Sequence, residues 1–302
     1  MARIAYLILV HKNFPQVVRL VNQLVEDSLI YIHVDKKSGK GAANYLKQSL
    51  ANKENVHILQ THRVYWGDFS QIVATISILQ RLVASKDSFD YVKFLSGQDY
   101  PVVSSDHIVK FINNCSSISY IQNFRLPSPI WEDEKGGLER INYYHFRVIG
   151  SDFYTFPPQS SSLLNKLLQK MFIRRFPDGL IPFGGSAYWL LTHESVDYIL
   201  RFITEHPRFV RFFRHVVNGD EIFFQTILLN SPLKDQIVND DLTFAKWVEG
   251  SSGPEILKID DSEEIFSSGS LFARKFDMYQ DEAILDLIDK RKSRILNLSL
   301  NG

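Results

Sequence analysis

Across its first hundred residues the chain alternates between continuous apolar runs and segments whose apolar residues recur at helical spacing. "IAYLILV" (Ile4–Val10) is apolar throughout, as a strand covered on both faces must be. The stretch Phe14–Asp27 follows with Val17, Leu20, Val21, Leu24 and Val25 on one helical face. "LIYIHVD" (Leu29–Asp35), a helix around Ala42–Ala51, "VHIL" (Val56–Leu59), the amphipathic Phe69–Ser85 and "YVKFLSGQDYPV" (Tyr91–Val102) continue the alternation. Strand and helix in turn predict an α/β protein with a doubly wound, mostly parallel sheet and helices on both faces. Such sheets bind ligands beyond the carboxyl ends of their strands. His11, Asp35 and Asp99 each fall at such an end, so one rim is the expected site.

Composition removes several classes of function. Lys plus Arg equal Asp plus Glu at 34 each, which leaves no basic excess for general nucleic-acid binding. The sole cysteine, Cys115, excludes an intrachain disulfide and a cysteine-based zinc site, and it points to a reducing compartment. The first apolar run is too short to span a membrane or serve as a signal-peptide core. A cytoplasmic protein is expected, with contact to a membrane at most peripheral. No repeat, linker or low-complexity tract divides the chain, so 1–302 reads as a single domain. Its character changes after about residue 115, where "LPSPIWEDEKGGLER" (Leu126–Arg140) reads as a loop and Ser160–Phe176 as a helix with a basic end. Before the helix that follows "FGGSAYWLL", Thr192 is a plausible N-cap.

The chemistry-bearing residues are few. No G-x-G-x-x-G follows the first strand and no P-loop exists, so a nucleotide would be held by other means. No D-x-D, no metal-ligand spacing of histidines and no G-x-S-x-G elbow occurs. In "VNGDEIFFQTILLN" the acids Asp220 and Glu221 open an apolar segment. They suit a helix first turn, Asp220 as N-cap, and they equally suit a catalytic base at the edge of a cleft. In "SGSLFARKFD" the cations Arg274 and Lys275 suit a surface pair or a diphosphate clamp. A glycoside hydrolase or phosphorylase, or a carbohydrate-binding protein without catalysis, remains compatible with these residues.

Eight blocks in order resemble the core-2/I-branching β-1,6-N-acetylglucosaminyltransferase family, glycosyltransferase family 14, which includes protein xylosyltransferases and many bacterial members. They are "AYLILVHKNFPQVVRLVNQL", "IYIHVDKKS", "VYWGDFSQIVATISIL", "YVKFLSGQDYPV", "FGGSAYWLLTHESVDYIL", "NGDEIFFQTIL", "FAKWVEG" and "LFARKFD". The resemblance implies a GT-A-like fold and inverting transfer of a sugar, N-acetylglucosamine or xylose, from a UDP-sugar to a glycan or glycolipid hydroxyl. It implies no divalent metal or other cofactor. It assigns Glu221 as general base and Lys275 as the diphosphate-binding cation. Val10, His11, Asp35 and Trp66 fall where the family contacts uridine and ribose. Asp99 stands where metal-dependent relatives carry D-x-D, and Arg274 is a candidate second phosphate contact. Arg140 and Trp247 fall in the acceptor region. Residues 1–125 are thus expected to be the nucleotide-sugar-binding half, and 126–302 the acceptor and catalytic half, of a bacterial member.

Overall fold

The computed structural model describes residues 2–85, 87–115, 117–148, 152–159, 162–248, 251 and 253–300. The chain forms two compact units that interleave along the sequence: 1–61, 87–118 and 241–302 in one, 62–86 and 119–240 in the other. The first unit joins 241–302 to 1–61 and 87–118, so neither unit is one continuous stretch of chain.

The first unit is built on the expected parallel strands: β1 (Ile4–Val10), β2 (Leu29–Val34), β3 (Val56–Leu59) and β4 (Tyr91–Ser96). They lie in the order β3-β2-β1-β4, with Val10 beside Val34 and Leu9 beside Ser96. The chain therefore steps outward from β1 to β3 and then returns to the other side of β1. A reversal of strand order, here between β1 and β4, is the kind of place where open α/β sheets bind ligands at the carboxyl ends of their strands. Gly97 follows β4 directly, and a Cβ there would come within 2.7 Å of Val10 Cγ1. Helix α1 (Phe14–Asn22) packs Val17, Leu20 and Val21 inward. It stops five residues short of the span read from periodicity. Continuing it would have placed Glu26 and Asp27 at the negative end of the helix dipole. A small sheet completes the unit: Phe272–Arg274 runs parallel to Thr243–Ala245 and antiparallel to Tyr100–Pro101.

The second unit pairs Trp189–Thr192 antiparallel to Ser119–Ile121, with Ile237–Val238 parallel on the far side. The helix His193–Glu205 begins on Thr192, whose side chain accepts from the Ser195 N–H as expected of an N-cap. The stretch Leu126–Arg140 is not a plain loop. It holds a 3-10 turn, Pro129–Glu134, opened by the Ser128 side chain, and the start of a short helix, Leu138–Asn142. Among the described residues no helix is long and apolar enough to cross a membrane.

Candidate functional site

The first unit gathers seven of the expected residues, most of them around the carboxyl rim of β1, β2 and β4. Val10 ends β1 and is buried, and its carbonyl accepts from the Asp35 N–H at 2.7 Å. Asp35 follows β2 and caps the turn Lys36–Ser38, accepting from Lys37 N at 2.8 Å, while the Lys37 ammonium stands 3.4 Å from its second oxygen. The His11 carbonyl accepts from Ser38 Oγ at 2.9 Å. The His11 imidazole is held below its ordinary pKa by burial and by the positive charges of Lys12, Lys37 and Lys275, against the pull of Asp35.

Asp99 is completely buried. Its carboxylate accepts from Ser96 N at 2.5 Å and from Arg274 Nε at 3.1 Å. Burial pushes the carboxyl up, while Arg274 pulls the other way. Asp99 thus anchors Arg274 from below. Lys275 follows through a cis peptide bond and is tied on both flanks. Phe276 N donates to the Gln98 carbonyl at 2.8 Å, and Leu257 N donates to the Lys275 carbonyl at 2.7 Å. A Cβ on Gly253 would lie 3.1 Å from Lys275 Nζ, so the glycine leaves room beside the ammonium. Burial and then the neighbouring charges of Arg274 and Lys12 push the Lys275 amine below its ordinary pKa. Neighbouring cations whose charge is this unfavourable in the free protein are chemically able to hold an anion. Trp247, from the same unit, is 60% exposed, a broad aromatic face open to solvent.

The second unit holds Glu221, Arg140 and Trp66. Glu221 is not in a regular helical turn and Asp220 is not an N-cap. Asn218, at φ 49° in the left-handed region, launches a 3-10 turn over Gly219–Glu221, and the helix Phe223–Leu229 starts only after Ile222. Asp220 accepts from Gln71 Nε2 at 3.1 Å. The Glu221 carbonyl accepts from Gly185 N at 2.9 Å, and its carboxylate from Arg140 Nη1 at 2.5 Å. Arg140 also ion-pairs with Glu134, and its guanidinium carbon lies over Trp131, 3.8 Å from the ring centre. Burial alone would lower the guanidinium pKa, but Glu221 and Glu134 outweigh it and raise it. Trp66 is 55% exposed.

The glycines of "FGGSAY" have a steric reason. A Cβ on Gly184 would come within 2.5 Å of the Trp131 ring, and one on Gly185 within 1.8 Å of the Gln122 carbonyl oxygen. A Cβ on Gly137, which has φ +86°, would also meet Trp131 at 2.5 Å. Close backbone approach thus seats the indole on which Arg140 rests.

Several participants escaped the reading of local pattern. Lys12 joins the cation group and ion-pairs with Asp277 at 3.5 Å. It directly follows His11, so its position after β1 was the available signal. Gln16, fully buried, donates to the Gly97 and Phe276 carbonyls and accepts from Met278 N, stapling α1 to both loops beside Lys275. Trp131 and Glu134 lay in a stretch whose charges suggest solvation.

A family model described as Core-2/I-Branching enzyme matches residues 4–267. Xylosyltransferase 2 of Rattus norvegicus is 24% identical over 316 residues, covering 96% of this chain and 33% of that protein. Xylosyltransferase 1 of Mus musculus is 27% identical over 255 residues, covering 81% of this chain and 24% of that protein. The chain thus spans a third or less of the length of these relatives. Among solved structures, mouse xyloside xylosyltransferase 1 in its apo form aligns with a TM-score of 0.39 at 12% identity, over 82% of this chain and 89% of that one. With the family match running through nearly nine-tenths of its length, the chain belongs to the Core-2/I-Branching enzyme family.

Proposed function

We propose that the protein is an inverting glycosyltransferase that moves a sugar from a UDP-sugar to a hydroxyl of a glycan or glycolipid, without a divalent metal. The observation that carries this reading is the group of cations Lys275, Arg274 and Lys12, with the imidazole of His11 beside them, at the strand-order reversal of the first unit. A nucleoside diphosphate needs a large charge offset, and this group offers one built from side chains alone. Xylose and N-acetylglucosamine are the donor sugars of choice, xylose because relatives named xylosyltransferases match over most of this chain. The sole, buried cysteine fits a cytoplasmic setting.

In this reading the acceptor oxygen attacks the anomeric carbon from the face opposite the nucleotide. A new bond from that carbon to the acceptor oxygen forms as its bond to the phosphate oxygen breaks, which inverts the centre. The acceptor proton passes to Glu221, and the departing electron pair goes to the diphosphate beside Lys275. Arg140 and the Gly185 N–H fix Glu221 in place. General-base assistance contributes about 10²–10⁴-fold. The reading is tested by UDP release from a panel of UDP-sugars in EDTA. Glu221→Gln should abolish turnover and keep UDP affinity, whereas Lys275→Ala should weaken UDP binding in calorimetry. Near-normal turnover of Glu221→Gln, or activity lost in EDTA and restored by manganese, overturns the assignment.

A further inference from the structure

The helix Leu163–Met171 of the second unit buries none of its residues. At 100° per residue, Leu163, Leu164, Leu167 and Met171 share one face, and Lys166 and Lys170 flank its edge. Leu163 is 87% exposed and Met171 66%, and Phe172 and Ile173 continue the exposed apolar surface past the helix end. Single exposed apolar residues are ordinary, but a contiguous stripe of six is not. The hairpin Tyr144–Arg147 with Phe153–Phe156 adjoins the helix through the Phe156 and Phe172 rings, 5.3 Å apart. Its directly opposed pair Phe146 and Tyr154 is exposed as well.

We propose that this face is a docking surface for an anionic lipid bilayer, on which the helix lies parallel to the membrane plane. Charge selects this occupant. Residues 153–177 carry Lys166, Lys170, Arg174 and Arg175 and no Asp or Glu, in a chain whose charges balance only when taken as a whole. Arg174 turns inward, donating to the Tyr143, His215 and Phe212 carbonyls, so Lys166, Lys170 and Arg175 are the outward cations. A second copy of the chain, placed on this face by a two-fold axis, would set the same cations against one another. An apolar stripe with lysines along its edge, in a segment that carries cations and no acids, is the pattern that sinks into the headgroup boundary and draws on anionic lipid. Nine residues rise only about 13 Å, too little to span a hydrocarbon core of about 30 Å, so the helix lies on the surface.

The test is flotation of the full chain with vesicles of phosphatidylcholine alone and of phosphatidylcholine with about a third phosphatidylglycerol, alongside light scattering of the free protein. The expected result is binding to the anionic vesicles, weakened by raising salt from about 0.1 to 0.5 M. Leu163→Ser/Leu167→Ser/Met171→Ser should reduce partitioning roughly tenfold or more, and Lys166→Glu/Lys170→Glu should do the same. All five positions are exposed, so circular dichroism and melting temperature should stay as in the parent. Absence of binding to anionic vesicles, equal binding by the serine variant, or a dimer that the serine variant dissociates overturns the proposal. The readout does not involve sugar transfer, so it stands or falls apart from the proposed reaction.

Discussion

Arg140 holds two carboxylates on one guanidinium while lying on an indole. A planar fork can use Nε and Nη1 at once and still stack, whereas a lysine offers a single point charge. Arg140→Lys should therefore keep the positive charge yet release Glu221 from its place. The expected outcome is a kcat lower by about 10²-fold with the donor KM little changed, because misplacement by about an ångström has that effect. Steady-state kinetics at varied UDP-sugar checks it, and an unchanged kcat would show that Arg140 does not position the base. Lys275 yields a linkage prediction. Its amine is depressed in the free protein, and a bound diphosphate replaces lost solvation with negative charge, so the bound pKa is the higher one. UDP affinity should then be full below the free-protein pKa and fall as alkaline pH rises toward the bound value, with a proton taken up on binding in that window. Calorimetry in two buffers of different ionisation enthalpy measures the uptake, and Lys275→Arg should remove it. His11, Asp35, Asp99, Glu221, Arg274 and Lys275 stand out in the sequence as candidates because each sits at a strand end or in a short block of chemistry-bearing types, whereas Val10, Trp66, Arg140 and Trp247 are singled out only through the family resemblance. The stack of Trp131, Arg140 and Glu221 was not legible, since Arg140 reaches Glu221 across 81 positions of sequence by side-chain contact alone.

At the scale of elements, β1 has the bounds that its apolar run suggests, because a strand buried on both faces leaves an uninterrupted signal; the half-buried edge strand β3 keeps its bounds as well. The short turns around Pro129–Glu134 and Gly219–Glu221 leave no such trace. Their conformation depends on the indole they enclose and on the left-handed Asn218, neither of which has a periodicity. Thr192 is legible as a cap but does more than cap. Its hydroxyl meets Ser119 Oγ at 3.3 Å and Ser195 Oγ at 3.1 Å, in a fully hydrogen-bonded buried trio that ties strand Ser119–Ile121 to the helix. Thr192→Ala should cost about 1–2 kcal/mol of unfolding free energy, the upper range for a lost cap, because it also strips a partner from two buried hydroxyls. Thr192→Ser should recover most of it. Urea denaturation of the two variants decides this, and equal stability of the two would show that neither the cap nor the trio contributes.

Over the whole molecule, the first unit closes only when the chain returns after residue 240. No local pattern announces that return, because it is written in pairings between distant residues. Asp289 accepts from Arg19 and Tyr100, the Lys93 ammonium donates to the Asp241 carbonyl at 2.8 Å, and Arg274 meets Asp99 across 175 positions of sequence. The Asp99–Arg274 pair is the sharpest test of closure, since its carboxylate is fully buried and its guanidinium nearly so. Arg274→Ala leaves a buried carboxylate without its cation, which typically costs about 3–5 kcal/mol, whereas replacing both partners with uncharged side chains of similar size is often near neutral. Arg274→Ala should therefore be much less stable than Asp99→Asn/Arg274→Met in guanidinium unfolding, although the double variant also lacks the cation beside Lys275 and should bind UDP as weakly as the single one. Stability and donor affinity would separate in this pair of proteins. If Arg274→Ala unfolds within about 1 kcal/mol of the parent, the returning segment is held by its apolar contacts, Phe272 and Phe276 foremost, and the ion pair serves the anion site alone.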